Sequence, residues 1–369
     1  MPVLHLFNPG HDEALAAATP FYTATSAARQ LAADLAALPA WWGSEGDAVL
    51  VPADRAFPAE LCGCRLTAAP CWDAVSRIEP WGWDAPLVHT LRRRGAPERL
   101  LPSPDALDRI RALSSRHTAV TLLQEVRRDV PHATIGLSEW CSSMADVRDF
   151  LRHHPDAILK APWSSSGRGV FRLTSQSPEP YFRRAERILR QQGGLAAEPR
   201  YERLHDLALE YTATPDGVRY EGLSLFRTTS AGLYDGNIVA PDARLLSLLP
   251  PELHRPLADV RDSLGRHLTA LLAGRYEGPL GVDLMIVRGP AGESLLHPCV
   301  EVNLRRTMGH VALALRRRLT PDMPAAVFAL RPVSSLSSSS EVLTPCAANV
   351  TAAFEPLDAV PICLSEPGE

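Results

Sequence analysis

Apolar and polar positions follow two patterns along the first third of the chain, and these predict strands and helices in turn. Short apolar runs, typical of buried strands, lie at residues 3–7 and 48–52. Segments predicted to be helical lie at residues 27–37, 83–94 and 104–113. Because strands that alternate with helices are typical of parallel sheets, we expect an α/β layer in this region.

After residue 114 the strands become paired around turn signals. The predicted strands are residues 157–160, 170–173, 195–199, 207–211, 220–227, 233–240, 281–287 and 299–303. The predicted helices are residues 115–129, 142–152, 180–192 and 251–272. A turn signal at residues 289–292 joins the last two strands into a hairpin. The Ser-rich stretch after Arg331 predicts a linker.

Composition supports a folded enzyme and argues against two other classes of protein. Hydrophobic residues make up 46% of the chain, yet no apolar run approaches the roughly 18 residues of a membrane span. A net charge of −4 gives no general attraction to nucleic acid. The N-terminus lacks the pattern of a signal peptide, and seven cysteines fit reduced thiols better than a disulfide framework. We therefore expect a cytoplasmic protein that binds neither nucleic acid nor membranes.

A lysine beside a loop of small residues is the first candidate for binding phosphate. Lys160 ends an apolar run, and residues 163–169 read Trp-Ser-Ser-Ser-Gly-Arg-Gly before the chain returns to a strand. Such a loop offers backbone N–H groups, hydroxyls and two glycines that can take positive φ. A Walker A loop would instead place the lysine after the glycines at the start of a helix. Taken alone, the segment fits a flexible surface turn equally well.

Two acids and an amide on the downstream hairpin are candidate metal ligands. Glu301 and Asn303 are two apart on one strand, so their side chains point to the same face. The hairpin brings Asp283 within about two positions of Glu301 across the ladder. Mg²⁺ prefers carboxylate and phosphate oxygens, and Arg305 follows at once as a cation for phosphoryl or carboxylate groups. A lone acid in an apolar strand is often a satisfied core group, but this combination favours a metal site.

Together the two motifs resemble those of ATP-grasp enzymes, over about residues 103–320. The resemblance implies an α/β N-terminal domain followed by a two-lobed α+β ATP-grasp fold with antiparallel sheets. The expected domains are residues 1–114 for the N-terminal domain, 115–200 for the first lobe, 201–330 for the second lobe and 331–369 for a tail. ATP and Mg²⁺, with Mn²⁺ as an alternative to Mg²⁺, are the implied cofactors.

The resemblance also implies a role for each matching residue. Arg116 matches the first phosphate-contacting cation, although lysine is usual there, and Lys160 matches the second. Glu198 matches the acid of the hinge that binds adenine, and Glu210 matches the acid that takes the ribose. The other matches are the flexible loop, with Ser165, Ser166, Gly167 and Gly169, the metal ligands Asp283, Glu301 and Asn303, and Arg305 at the acyl or carboxyphosphate centre.

A second polar cluster lies at the end of the first predicted strand. Ligands of open α/β sheets bind outside the carboxyl ends of strands, so Asn8, His11 and Asp12 are candidates for the face where a co-substrate enters. A tight turn in which Asp12 helps to cap the next helix is the alternative. Arg227 and Arg306 are two further candidates for contacting substrate anions.

These assignments predict an ATP-dependent ligase that activates a carboxylate as an acyl phosphate and joins it to an amine. Lys160 and Arg305 are the predicted catalytic residues, because they would position phosphates and stabilise charge at the acyl centre. The expected partners are a small-molecule carboxylate and amine, with a homodimer left open. One alternative is a kinase of the same fold that phosphorylates a hydroxyl, and another is a nucleotide-binding module without catalysis.

Overall fold

The computed structural model describes residues 2–164, 169–228, 234–336 and 339–357, and its first part is a five-stranded sheet with the order β3-β4-β2-β1-β5. The strands are β1 (Val3–Leu6), β2 (Ala48–Leu50), β3 (Glu60–Leu61), β4 (Cys64–Thr67) and β5 (Arg77–Pro80). The helices are α1 (His11–Ala17), α2 (Ser26–Asp34) and α3 (Ala85–Arg93). Strands β1, β2, β4 and β5 run parallel, whereas β3 pairs antiparallel with β4.

Aliphatic side chains hold this sheet to its helices. Leu4 and Ile78 of the sheet pack in one buried cluster with Leu91 of α3. Helix α3 begins at a capped end, because the Asp84 carboxylate accepts a hydrogen bond from Leu87 N at 2.8 Å. The chain leaves the carboxyl end of β1 and enters α1 five residues later, so the first turn of α1 lies at this edge of the sheet.

The second part is a four-stranded antiparallel sheet with the order β6-β9-β7-β8. Its strands are β6 (Glu139–Cys141), β7 (Asp156–Lys160), β8 (Val170–Thr174) and β9 (Leu195–Pro199). The helices beside it are α4 (Pro104–Leu113), α5 (Arg116–Asp129), α6 (Met144–His153) and α7 (Glu179–Gln192). Helix α7 ends before Gly193, which has a φ of 80°, and this end confirms the predicted helix at residues 180–192.

The third part is an eight-stranded antiparallel sheet with the order β14-β13-β10-β11-β12-β15-β17-β16. Its strands are β10 (Arg203–Thr214), β11 (Gly217–Thr228), β12 (Tyr234–Val239), β13 (Gly278–Arg288), β14 (Ser294–Asn303), β15 (Ala326–Pro332), β16 (Glu341–Val342) and β17 (Val350–Pro356). Its helices are α8 (Asp242–Leu246), α9 (His254–Leu272) and α10 (Met308–Leu315). The antiparallel sheets predicted for the two lobes are thus confirmed.

The described part of the C-terminal segment corrects one prediction. Strand β17 pairs with β15 over seven residue pairs, from Ala326–Pro356 to Pro332–Val350. The predicted tail, residues 331–369, therefore contains a strand of the second-lobe sheet, whereas the linker was predicted only for the Ser-rich stretch before it. The domain limits at residues 114 and 200 stay predictions. No helix within the described ranges is long and apolar enough to cross a membrane.

The two faces of the eight-stranded sheet have different roles. Leu207 and Leu209 of β10 point to one face, where they join the largest buried cluster, together with Leu264 of α9. Successive side chains of a strand point to opposite faces, so Ala208 and Glu210 point the other way. That second face forms the floor of a cavity.

Candidate active site

A cavity of about 730 Å³ opens where α1 and α2 meet the eight-stranded sheet and the first residues of α5 and α10. Cavities of this size hold cofactors and small-molecule substrates. The charged side chains that line it are Asp12, Glu13, Asp34, Arg116, Glu210, Asp283, Glu301 and Arg305. Six of these eight are acidic, so acidic side chains outnumber basic ones around the cavity.

Asp283, Glu301 and Asn303 meet on the cavity floor. Asp283 pairs directly with Glu301 across the β13–β14 ladder, and Asn303 follows two residues later. The Asn303 amide Nδ2 donates to Asp283 Oδ2 at 3.2 Å. Burial raises the pKa of Asp283, and the facing Glu301 raises it further. A divalent cation would relieve the repulsion between these two carboxyl groups, so the three residues fit Mg²⁺.

Arg116 joins the first lobe to this acidic pair. It is the first residue of α5, and its Nη2 lies 2.8 Å from Glu301 Oε2. Its Nη1 donates to Ala161 O at 2.7 Å and to Ser164 Oγ at 2.8 Å. Arg116 is therefore held between the metal candidates and the residues that follow Lys160, and its role as a phosphate-binding cation stays a prediction.

Arg305 enters the cavity beside Asn303 and is held by an acid of the N-terminal domain. Its Nε and Nη2 donate to the Asp12 carboxylate at 3.0 and 2.8 Å. A second Nη2 hydrogen bond goes to Asn303 Oδ1 at 3.1 Å, and Nη1 donates to the backbone oxygen of Arg306 at 3.0 Å. Since a guanidinium carries five N–H groups, one N–H on Nη1 is left for a substrate.

The Asp12–Arg305 pair is electrostatically tight. Burial alone would raise the pKa of Asp12, but Arg305 outweighs it and holds that pKa below its usual value. Burial alone would lower the pKa of Arg305, but the Asp12 carboxylate outweighs burial and raises that pKa. Asp12 was predicted to face a co-substrate, and it does line the cavity, but its described partner is Arg305.

Lys160 and Glu198 form a buried ion pair in the first lobe. Lys160 ends β7, and Glu198 lies on the neighbouring strand β9. Lys160 Nζ lies 2.6 Å from Glu198 Oε2, and it also donates to Val300 O on β14 at 3.5 Å. The predicted phosphate-binding lysine and the predicted hinge acid are thus brought together. Their link to β14 connects them to the strand that carries Glu301.

Glu210 lies on the far side of the metal candidates from this lysine pair. On β10, Ala208 pairs with Asp283, and Glu210 pairs with Gly281, which in turn pairs with Asn303. Thr307 Oγ1 donates to Glu210 Oε1 at 2.8 Å. Glu210 therefore lies near Asn303, two positions along β10 from the residue that pairs with Asp283.

The surroundings of Glu210 favour its neutral form. Burial raises the pKa of Glu210 to about 8 and lowers the pKa of His310 to about 3. Glu210 Oε2 lies 3.0 Å from His310 Nδ1. Thr307 N donates to the same Nδ1 at 3.2 Å, and His310 Nε2 lies 3.2 Å from Tyr211 O.

Comparisons with known proteins identify the fold. No family model and no curated protein matches the sequence. The N5-carboxyaminoimidazole ribonucleotide synthetase of Thermus thermophilus has a TM-score of 0.52 and 15% identity, covering 96% of this chain and 94% of that chain. The Staphylococcus aureus N5-carboxyaminoimidazole synthetase complexed with ADP has a TM-score of 0.54 and 11% identity, covering 97% and 94%. Both neighbours are ATP-grasp proteins.

The chain has the ATP-grasp fold. The fold predicted from the Lys160 and Glu301 motifs is thereby confirmed for the two lobes. Seven of the predicted residues line one cavity, namely Asp12, Arg116, Glu210, Asp283, Glu301, Asn303 and Arg305.

Four residues predicted to contact substrate have other neighbours. Asn8 Nδ2 donates to Asp84 Oδ2 at 2.9 Å, and His11 Nδ1 lies 3.3 Å from the same oxygen, so both fix the turn before α3. Arg227 Nη2 pairs with Asp235 at 3.1 Å, and Arg306 Nη2 donates to Glu79 Oε2 at 3.3 Å. None of the four is among the described residues that line the cavity. Their contacts support a structural role.

The predicted phosphate loop is only partly described. Ser165, Ser166 and Gly167 lie outside the described residues. Gly169 closes the β7–β8 hairpin, where its backbone oxygen accepts from Ala161 N at 2.9 Å. A Cβ at position 169 would overlap the Cβ of Ser164, so this close approach requires glycine.

Two groups of polar residues were missed from the sequence. Thr307 and His310 surround Glu210, and the pattern Thr307 to His310 of a capped helix start was the available signal. Ser224 and Asn237 form a second buried group on the cavity floor, with Asn237 Nδ2 donating to Ser224 Oγ at 2.7 Å. These two lie on different strands of the sheet, and the sequence alone gives no sign of their meeting.

Proposed function

We propose that this chain is an ATP-dependent ligase that activates a carboxylate as an acyl phosphate and joins it to an amine. One observation carries the proposal. The Arg305 guanidinium enters the same cavity as the acidic pair Asp283 and Glu301, and it lies next to Asn303. A phosphoryl group held at the acids would therefore meet a carboxyl group held at the arginine.

ATP would extend from the Lys160–Glu198 pair to the acidic pair. Lys160 and Arg116 would position its phosphates, because phosphoryl transfer depends mostly on positioning and electrostatics. Asp283, Glu301 and Asn303 would hold Mg²⁺, which neutralises phosphate charge when bound. No group of three His, Cys, Asp or Glu side chains suits a metal within the described ranges, so phosphate oxygens would complete the coordination.

The position of Glu210 favours a new assignment for the ribose. Glu210 lies beyond Asp283 at the Arg305 end, whereas Asp206 pairs with Met285 on the other side of Asp283. Thr228 Oγ1 donates to Asp206 Oδ2 at 2.9 Å. In this proposal Asp206 takes the ribose, because the ribose lies between the base and the phosphates. Glu210 then belongs to the acyl centre.

The chemistry needs no nucleophilic side chain of the protein. An oxygen of the substrate carboxylate attacks the γ-phosphorus, and ADP leaves with the electrons of the broken P–O bond. The amine nitrogen then attacks the carbonyl carbon, and inorganic phosphate leaves with the electrons of the C–O bond while the nitrogen loses a proton. The remaining N–H of Arg305 would donate to the carbonyl oxygen, which gains negative charge when the amine adds to the carbonyl carbon.

Hydroxylamine trapping tests this proposal. The protein is incubated with Mg-ATP, hydroxylamine and a pool of carboxylates, without any other amine. An acyl phosphate reacts with hydroxylamine, so we expect a hydroxamate together with equal amounts of ADP and phosphate. A stable phosphate ester without hydroxamate would show that the chain is a kinase. ATP binding without any ADP release would favour a nucleotide-binding module.

A further inference from the structure

One part of the cavity has apolar walls and is unlike the ATP side. Leu31 of α2, Trp81, Met308 of α10 and Leu330 of β15 line it and pack in a single hydrophobic cluster. Trp81 is next to the acyl centre, because its backbone oxygen accepts from Arg306 N at 2.8 Å. We call the space beside these four side chains the acceptor chamber. It lies where the second substrate of the proposed ligase would meet an acyl phosphate.

The polar floor beside the acceptor chamber is neutral. Tyr234 OH donates to Asn237 Oδ1 at 2.6 Å, and Asn237 Nδ2 donates to Ser224 Oγ at 2.7 Å. Ser224 and Asn237 are 2% and 1% exposed, so this is a built hydrogen-bond network rather than a surface group. Glu210 is 1% exposed, and its carboxyl oxygens contact Thr307 and His310.

The two arginines of the cavity are already paired with acids. Arg116 contacts Glu301, and Arg305 contacts Asp12 through two of its nitrogens. The remaining Arg305 N–H is placed for the acyl centre. Among the described residues that line the cavity, a phosphate or carboxylate on the second substrate would therefore meet no cation without an acidic partner. Desolvating such an anion without a counter-charge is costly, and like charges repel by several kcal/mol.

From this geometry we infer that the amine substrate carries neither phosphate nor carboxylate and has an apolar body of alkyl or aryl type. This inference rests on the proposed function. The neutral floor can orient a hydroxyl or amide of such a molecule, and the apolar walls cover its hydrocarbon part. The substrate class differs from that of the Thermus thermophilus synthetase, which is named for a ribonucleotide and hence for a phosphate-bearing compound.

Three probes with the same amine and chain length test the inference. Hexylamine, 6-aminohexanoate and 6-aminohexyl phosphate are titrated calorimetrically into the full chain with Mg²⁺ and a non-hydrolysable ATP analogue. We expect saturable binding of hexylamine that is at least about tenfold tighter than that of either anionic probe. Equal or tighter binding of the phosphate or carboxylate probe, or no saturable binding of hexylamine, would overturn the inference.

Two variants place a cation in the cavity to reverse this preference. Leu330→Arg adds one to the chamber wall, and Gln30→Lys adds one at a half-buried cavity position that already carries a long side chain. Both should bind 6-aminohexyl phosphate more tightly than the wild type does. Val333→Arg is the matched control, because Val333 follows the same strand but is 37% exposed and outside the cavity. An unchanged order of the probes in both cavity variants would contradict the inference.

The probe-binding experiment and the hydroxylamine experiment can fail independently of each other. If hexylamine binds best and cavity cations reverse the order, the substrate class holds even when no carboxylate yields a hydroxamate, and only the ligase proposal fails. If a hydroxamate forms but an anionic probe binds best, the ligase proposal stands and the substrate class is wrong.

Discussion

At the scale of single residues, the acidic pair on β13 and β14 makes the most direct prediction. Glu301→Gln keeps the shape of the side chain and an oxygen for Arg116, but it removes one of the two facing charges. We expect ATP turnover to be lost while the fold is retained, because metal-bound phosphate needs both carboxylates. ADP release measures turnover, and circular dichroism measures the fold.

A matched control is Glu202, the residue just before β10. Glu202 makes an exposed ion pair with Arg288 at 2.7 Å, away from the cavity. Exposed pairs contribute little to stability, so Glu202→Gln should leave both turnover and fold unchanged. Wild-type turnover by Glu301→Gln would remove the basis for the metal assignment.

Arg305 makes a second prediction at this scale, based on its hydrogen-bond donors. Lysine cannot reproduce the two-nitrogen contact with Asp12 and also present a fixed N–H to the acyl centre. Arg305→Lys should lower turnover by about 10²- to 10³-fold, as the loss of one oriented donor does, with little effect on ATP affinity. Steady-state kinetics and nucleotide titration measure the two quantities.

The neighbouring arginine provides the comparison. Arg306 lies against Glu79 and over the Trp42 ring, 4.9 Å from its centre, rather than in the cavity. Arg306→Lys should therefore keep most of the turnover. Equal losses in the two variants would indicate that position 305 acts through the fold and not at the acyl centre.

The sequence could predict those parts of the candidate site whose residues lie close together in the chain. The spacing of Glu301 and Asn303 was sufficient, because strand alternation puts residues two apart on one face. The partner of Arg305 could not be predicted in this way. Asp12 is 293 positions earlier in the chain, and its contact depends on how the N-terminal domain packs on the second lobe. The partner of Arg227 could not be predicted for the same reason, since its acid, Asp235, is brought to it by the β11–β12 pairing.

At the scale of elements, the start of α10 depends on a close approach to Glu210. A Cβ on Gly309 would overlap Glu210 Oε1 and lie 2.7 Å from Ser224 Oγ. Gly309→Ala would therefore displace a buried carboxyl group or the helix itself. We expect a lower free energy of unfolding, by about 1–3 kcal/mol as for other overpacked sites, together with reduced turnover. Urea unfolding and ADP release test this.

Gly265 in α9 gives the opposite expectation for the same substitution. Nothing lies within 4 Å of a Cβ built there, and the position is helical. Because alanine has the higher helix propensity, Gly265→Ala should raise the free energy of unfolding by about 0.5–1 kcal/mol. Similar effects of the two substitutions would mean that contact with Glu210 does not govern position 309.

The elements themselves were largely predictable, apart from the C-terminal strand. Helix α4 has the predicted bounds, residues 104–113, because its apolar positions, proline and cap all agree. Strand β17 was missed because the preceding serines dominated the interpretation of the tail. Ala352 and Phe354 of β17 are buried and join the hydrophobic cluster of Trp81. Strand β17 forms because its side chains are buried against a distant part of the chain, and local composition does not reveal this.

At the scale of the whole molecule, the two ends of the chain meet around the cavity. Asp34, at the end of α2, accepts hydrogen bonds from the backbone N–H groups of Ala348, Asn349 and Val350 at 2.8–3.2 Å. Arg55 Nη1 lies 2.7 Å from the same carboxylate. The cavity is thus closed only when the N-terminal layer and the last described strand are both in place.

The Asp34 carboxylate should therefore govern acid stability. Burial alone would raise its pKa, but the backbone N–H groups and Arg55 outweigh burial and lower it. A lowered pKa in the folded state means that the unfolded chain binds the proton more readily. The stabilisation is full above the unfolded pKa of about 4 and is lost as the pH falls from there toward the folded pKa.

Asp34→Asn tests this at neutral and acid pH. The amide cannot accept all of the hydrogen bonds that the carboxylate accepts, and hydrogen bonds to charged groups contribute about 1.5–3 kcal/mol. We expect the variant to be less stable than the wild type by about this amount at pH 7, with the difference shrinking as the pH falls below about 4. Urea unfolding across this range measures the difference, and the exposed Asp54, replaced by Asn, is the control. A difference that stays constant with pH would show that the charge of Asp34 does not hold the two ends together.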